Sequence, residues 1–167
     1  EGSSVGWGGS MSIKEMGLLD AVCSGNYTVY NRDICKTPEE KRKTQLQIFT
    51  SDYFLCSTNA ITEDGVLVNV DGTANRVACI SWGPANVVMI VGMNKLVKSV
   101  EDAISRARHE AAPINAQRFG LDTPCSKTGV CANCKSPDTV CCQVLVTRYS
   151  KEKGRIKVIL VNDEMGF

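Results

Sequence analysis

The sequence lacks a surplus of either charge: 19 Lys and Arg stand against 18 Asp and Glu, a net charge of +1. That balance supplies no electrostatic footprint for nucleic acid or an anionic membrane. It also lacks a long hydrophobic run. The strongest, residues 87–92 with Met93 after it, is far below the roughly 20 residues that span a bilayer. Nothing resembles a signal peptide, and there is no internal repeat or low-complexity tract. Histidine occurs once, at position 109. No Ser-His-Asp or Cys-His arrangement can be read, and no nucleophile and base stand out as a pair. Late in a charged helix, His109 reads as a solvated residue favoured by the helix dipole.

What remains is enough for one ordinary domain. The 167 residues, 43% of them apolar, can fill one core without covalent staples, so residues 1–167 are read as a single α/β domain. Because Glu1 opens on what looks like a strand end entering a glycine loop, the chain is expected to be part of a longer protein.

Strand and helix signals alternate through the first two thirds. Residues 10–25 read as one helix, capped by Ser10 or Ser12, with Ile13, Met16, Leu19 and Cys23 on one face and Gly25 as its stop. Tyr27 to Tyr30 reads as a strand, and Pro38-Glu39-Glu40 opens a second helix with acids in its first turn. Residues 53–57 are a further strand. Residues 61–70 predict a hairpin turning at Glu63-Asp64-Gly65. Asn86–Gly92 is the best candidate for a strand covered on both faces. Val97, Val100, Ala103, Ile104 and Ala107 mark an amphipathic helix, closed by Pro113. Residues 143–162 predict a C-terminal hairpin whose apolar faces need a sheet or a second copy of the chain to pack on. Together these predict a largely parallel sheet covered by helices, with antiparallel hairpins added.

Nine cysteines are many for such a chain, and their placement matters more than their number. Cys23, Cys35, Cys56 and Cys79 are scattered and read as small buried hydrophobes. Cys125, Cys131, Cys134, Cys141 and Cys142 fall in one loop, residues 123–142, in a C-x5-C-x2-C-x6-C pattern followed by a fifth thiol. A secreted disulfide framework is usually a smaller, loop-rich chain, so the cluster points to a metal in a reducing, cytoplasmic compartment. Cys131 and Cys134 can turn both sulfurs toward one centre. Pro124, Gly129 and Pro137 supply bends that bring in Cys125 and Cys141. Soft thiolates select zinc, copper(I) or an iron-sulfur cluster. The absence of a second Cys-x2-Cys knuckle favours a 4Fe-4S cluster over zinc, although spacing leaves both open. Adjacent side chains at a strand start face opposite ways, so only one of Cys141 and Cys142 serves as a ligand. Lys127 and Lys135 would offset part of the charge of such a centre.

Gly6, Gly8, Gly9 and Ser10 could form a nest of N–H groups for a carboxylate or phosphate, or simply a tight turn. Asn59, Asn75 and Arg76 could reach the same ligand, Arg76 as a bidentate partner. Glu63 and Asp71 read as turn residues, and Asn115 as a hydrogen-bonding residue near Pro113.

The stretches Val5-Gly-Trp-Gly-Gly-Ser10-Met, Ser57-Thr-Asn-Ala-Ile-Thr-Glu-Asp-Gly65, Val70-Asp-Gly-Thr-Ala-Asn-Arg-Val77, Ala112-Pro-Ile-Asn-Ala116 and Thr123-Pro-Cys to Cys141 follow in an order that resembles the LUD domain family, the lactate utilization proteins. The resemblance implies a fold like that of the NagB, ribose-5-phosphate isomerase and CoA-transferase superfamily, with a ligand pocket at the glycine turn. It implies a role near lactate or organic-acid oxidation, alongside redox protein partners. The subset with this cysteine segment is similar to iron-sulfur binders, with Cys125, Cys131, Cys134 and Cys141 at the four ligand positions. Cys142 stands where a polar residue is expected, and could substitute for Cys141.

Overall fold

The computed structural model describes residues 2–167. They divide into two compact units. The first contains the chain up to Ser57, Ala78 to Met93, and Ser150 to Gly166; the second contains Thr58 to Val77 and Asn94 to Tyr149, with Phe167. The sequence had been read as one domain; each unit has its own sheet.

The first unit is a parallel sheet of β1 (Ser4–Trp7), β2 (Thr28–Tyr30), β3 (Tyr53–Cys56), β6 (Asn86–Gly92) and β9 (Ile156–Val161), in the order β2-β1-β3-β6-β9. Alternation along β1 explains how it is covered. Val5 and Trp7 point into a cluster with Leu55 and Ile90 that is closed by Ile13 of α1 (Met11–Glu15) and Val22 of α2 (Leu18–Ser24). Gly6 points the other way, where a Cβ would meet Ile48 of α3 (Pro38–Phe49) at 2.5 Å. Gly6 thus serves helix packing. β6 has strands on both sides and buries Val87, Met89 and Val91 on the face opposite Ile90, as its continuous apolar run predicts. Helix α3 begins with Pro38 behind a reciprocal cap between Thr37 and Glu40.

The second unit is a mixed sheet of β4 (Ala60–Thr62), β5 (Leu67–Asp71), β7 (Leu96–Val97) and β8 (Gln143–Thr147), in the order β7-β4-β5-β8. The expected hairpin is β4 and β5. Ala60, Val68 and Val70 pack on Ala103 of α5 (Val100–Arg106), Ala107, and Ala112 of α6 (Ala112–Arg118); Val140 and Cys141 pack against the same cluster. The cysteine segment therefore ends against a built core. No helix among the described residues is long and apolar enough to cross a membrane.

Four expectations are corrected. The helix over 10–25 is broken at Gly17, whose φ of +70° resets the helical phase; Val22 is buried while Cys23 and Met16 are exposed. Of the scattered cysteines only Cys56 and Cys79 are buried. Pro113 does not end the helical region: a π turn at Ala107–Ala111 links α5 to α6, and Pro113 follows directly on that wider turn. The C-terminal hairpin over residues 143–162 does not form. β8 pairs antiparallel with β5, whereas β9 pairs parallel with β6, so each completes the edge of a different sheet.

Helix α4 (Asn75–Ser81) ends on a buried cation. Arg155, 7% exposed, donates to the carbonyls of Cys79 (2.8 Å), Ile80 (2.7 Å) and Pro84 (3.0 Å), satisfying groups that the helix end leaves open. Charged hydrogen bonds of this kind are worth about 1.5–3 kcal/mol each before desolvation. Arg155→Ala is expected to lower the unfolding free energy by about 3 kcal/mol in urea titration. A change under about 0.5 kcal/mol would mean the carbonyls find water instead.

Candidate functional site

The loop begins with α7 (Pro124–Thr128), a five-residue helix that the sequence reading had treated as irregular. Its start is over-specified. The Thr123 hydroxyl accepts from the Ser126 N–H at 3.3 Å, the Ser126 hydroxyl bonds the Leu121 carbonyl at 2.7 Å, and Pro124 fills the first helical position. Gly129, at φ +75°, ends it. This frame fixes Cys125, whose sulfur lies 3.3 Å from the Thr123 hydroxyl. The loop's second half is tied back by Ser136, which donates to the Asp122 carbonyl at 3.0 Å, and by Asp138, which accepts from the Asp122 N–H at 3.2 Å.

Between Cys131 and Cys134, Asn133 adopts the left-handed conformation at φ +50°, which Asn tolerates better than most residues. Its side-chain oxygen accepts from Arg108, on the π turn. Further on, a Cβ at Gly72 would lie 3.1 Å from the Thr139 carbonyl, a tight approach that glycine relieves. Thr139 then accepts from the Cys141 N–H at 3.2 Å and sets the direction of that residue.

These devices gather Cys125, Cys131, Cys134 and Cys141 around one cavity of about 360 Å³, counting its open mouth. Arg108, Ala112 and Ala116 form the helical wall, and the two small side chains leave the space. Cys142 lies outside: it is exposed, and its sulfur is 3.7 Å from the Thr139 carbonyl. The sulfurs line a hollow; among the described residues no three His, Cys, Asp or Glu side chains are grouped as a site for one metal ion. Four thiols with no carboxylate or imidazole among them are a soft donor set, suited to zinc or an iron-sulfur cluster.

Burial is the main reason that the Cys141 thiol is pushed up to about 11; the neighbouring Cys131, Cys125 and Cys134 add to it, and Arg108 opposes it. A buried thiol among other thiols resists becoming an anion, and a bound cation reverses that preference. Arg108 was not singled out from the sequence. Its partners lie 23 and 25 positions away along the chain, and no periodicity links them. Lys127, which was, is instead paired with Asp122 at 2.6 Å on the surface.

The other candidates fall into two groups, one in each unit. In the first unit, the Gly8 N–H donates to the Leu55 carbonyl (3.0 Å) and the Ser10 N–H to the Gly8 carbonyl (2.9 Å), so two amides of the expected nest are engaged internally. A Cβ on Gly9 would lie 2.7 Å from the Arg32 guanidinium, and the Ser10 hydroxyl is buried without a partner. In the second unit, Arg76 donates to Asp71 (3.0 Å), to the Asn59 side chain (2.8 Å) and to the Val70 carbonyl (2.6 Å). Asp71 also accepts from the Val77 N–H at 2.9 Å, so it anchors the start of α4 and is more than a turn residue. Asn75 accepts from Thr73 at 3.1 Å. Asn115 belongs to α6, where it donates to the Ala111 carbonyl. Asn69, fully buried in β5 with both amide atoms unpartnered, was missed; a lone polar residue among valines was its signal.

The raised Cys141 value yields a chemical test. Two pH units between 9.0 and about 11 leave roughly a hundredfold less thiolate at pH 8. In metal-free protein, iodoacetamide should therefore modify Cys141 about a hundredfold more slowly in the folded chain than in the urea-unfolded chain, as read by peptide mass spectrometry. The folded-state preference for the neutral thiol is fully present below pH 9 and is lost as pH rises through about 11. Equal rates at pH 8 would show that Cys141 is not confined as described.

No curated protein matches the chain. Among solved structures, the crystal structure of a DUF162 family protein from Deinococcus radiodurans aligns over 96% of this chain and 88% of that chain, at 10% identity and a TM-score of 0.41. The LUD domain model matches residues 1–161. The chain therefore belongs to the LUD domain family.

Proposed function

We propose that this LUD domain holds a 4Fe-4S cluster on Cys125, Cys131, Cys134 and Cys141 and serves electron transfer, as a carrier or accessory protein, in lactate or related organic-acid utilization. The observation that carries the reading is the gathering of these four thiols, and not Cys142, around one cavity. When bound, the cluster supplies one-electron chemistry. The chain's part is to present four thiolates from one loop against a helical wall, with no carboxylate in the cavity lining. Four cysteines with no carboxylate or imidazole in the cavity lining support a soft-metal centre there.

Cys125, Cys131, Cys134 and Cys141 are each only partly buried, which supports a redox protein partner able to approach the centre directly. Nine free thiols support a reducing, cytoplasmic setting. With the hairpin lost, the apolar surface for a homodimer passes to the edge strands: Val144 and Val146 on β8, Ile159 and Leu160 on β9, are all exposed.

A second reading, a small-carboxylate site within the second unit at Asn59, Asn75 and Arg76, is favoured by the unpartnered Asn69 amide of that unit, since buried polar groups are normally satisfied. Its sign would be calorimetric binding of L-lactate that weakens at least tenfold in Asn69→Ala, about 1.4 kcal/mol, with metal content unchanged.

The main reading is tested by iron, acid-labile sulfide and zinc analysis of anaerobically purified protein. About four iron and four sulfide per chain are expected, lost in Cys131→Ser and Cys141→Ser and kept in Cys142→Ser. About one zinc with no sulfide would replace the cluster by a structural metal.

A further inference from the structure

We infer that Arg108 is a positioning residue that raises the reduction potential of the metal centre, by placing one fixed positive charge against its thiolate ligands. The inference rests on the cluster reading above and concerns a residue outside the ligand set. Three observations carry it.

The first is geometric. The Arg108 side chain borders the same cavity as the four thiols, its Nη2 lies 4.0 Å from the Cys131 sulfur, and its bond to the Asn133 side chain holds it there. The second is electrostatic. Among the described residues no carboxylate pairs with Arg108, whereas the neighbouring cations are engaged elsewhere: Lys127 with Asp122, Arg106 with Glu110, and Arg118 over the ring of Phe119. A half-buried guanidinium without a counter-ion suits a neighbour that becomes negative, and four thiolates around a cluster leave a net negative centre.

The third is conformational. Arg108 sits on the π turn Ala107–Ala111, a local departure from the α-helix that recurs at functional sites. It aims Arg108 at the loop while Ala107 and Ala111 stay buried in the core.

Reduction by one external electron, for example from dithionite, adds one negative charge to the centre and breaks no bond of the chain. A nearby cation stabilises the reduced form more than the oxidised form, and so raises the potential.

The test is a spectroscopic redox titration of anaerobically reconstituted protein, with iron and sulfide measured on each sample, for the native chain, Arg108→Gln and Arg108→Lys. At the poise where the native centre is half reduced, Arg108→Gln should show about a tenfold lower ratio of reduced to oxidised centre, a 59 mV fall for one electron, and Arg108→Lys should recover most of it. Full cluster content in both variants with an unchanged potential would overturn the role of Arg108 and leave the cluster reading intact. Loss of the cluster in both variants would also overturn it, making the residue a structural support. A native chain that takes up no iron or sulfide would instead refute the cluster reading itself.

Discussion

The loop at residues 123–142 has almost no core of its own, and its closure is the constraint on which the site depends. Ordering each backbone residue costs about 1–2 kcal/mol, while a typical hydrogen bond returns about 1 kcal/mol net. The bonds through Thr123, Ser126, Ser136, Asp138 and Thr139 are too few to hold such a segment by themselves. Val140 and Cys141 reach a hydrophobic cluster of the second unit. Metal binding to the four thiols would then be a folding term for the loop as well as a functional one, and removing the metal should loosen the loop before the sheets.

The surrounding unit is shaped to make that arrangement possible. Ala112 and Ala116 are buried alanines whose small size leaves the hollow that the thiols border. Gly72 lets the loop backbone pass closer than most Cβ contacts come. Neither feature contributes much stability, since alanine buries little and glycine costs backbone entropy. They are better explained by the space they leave than by the packing they provide.

Much of this was legible in the sequence, for physical reasons that also mark its limits. The spacing of the cysteines marked Cys125, Cys131, Cys134 and one of Cys141 and Cys142, the resemblance chose Cys141, and in the structure Cys125, Cys131, Cys134 and Cys141 line one cavity. The uninterrupted run Asn86–Gly92 gave away a strand flanked on both sides. Periodicity, however, reports only local faces. It could not say that β8 and β9, nine residues apart, join different sheets, because that depends on partners more than 60 positions upstream. It read through Gly17 because a single left-handed residue changes the phase of a helix without changing its composition. Arg108 was invisible for a related reason: it is one of many charges on a helix until the fold sets it against Cys131.

The placement of Arg108 in turn follows from a second buried cation two residues earlier. Arg106, 8% exposed, donates to the Asn94 carbonyl at 3.0 Å and to the Asn59 carbonyl, fixing the end of α5 on the sheet. Burial lowers its pKa and Glu110 opposes that shift, but a guanidinium keeps its proton in such a setting, so the anchor holds at any working pH. From that fixed point the π turn inserts one residue, which rotates everything after it by about 100° relative to a continued α-helix. The residues carried round by that rotation are the ones that line the cavity: Ala112 and Ala116. A sequence that continued as plain α-helix from Arg106 would turn a different face to the thiols. The single inserted residue, costly in helix hydrogen bonding, is therefore the step at which a helix built for packing becomes one wall of the cysteine-lined cavity.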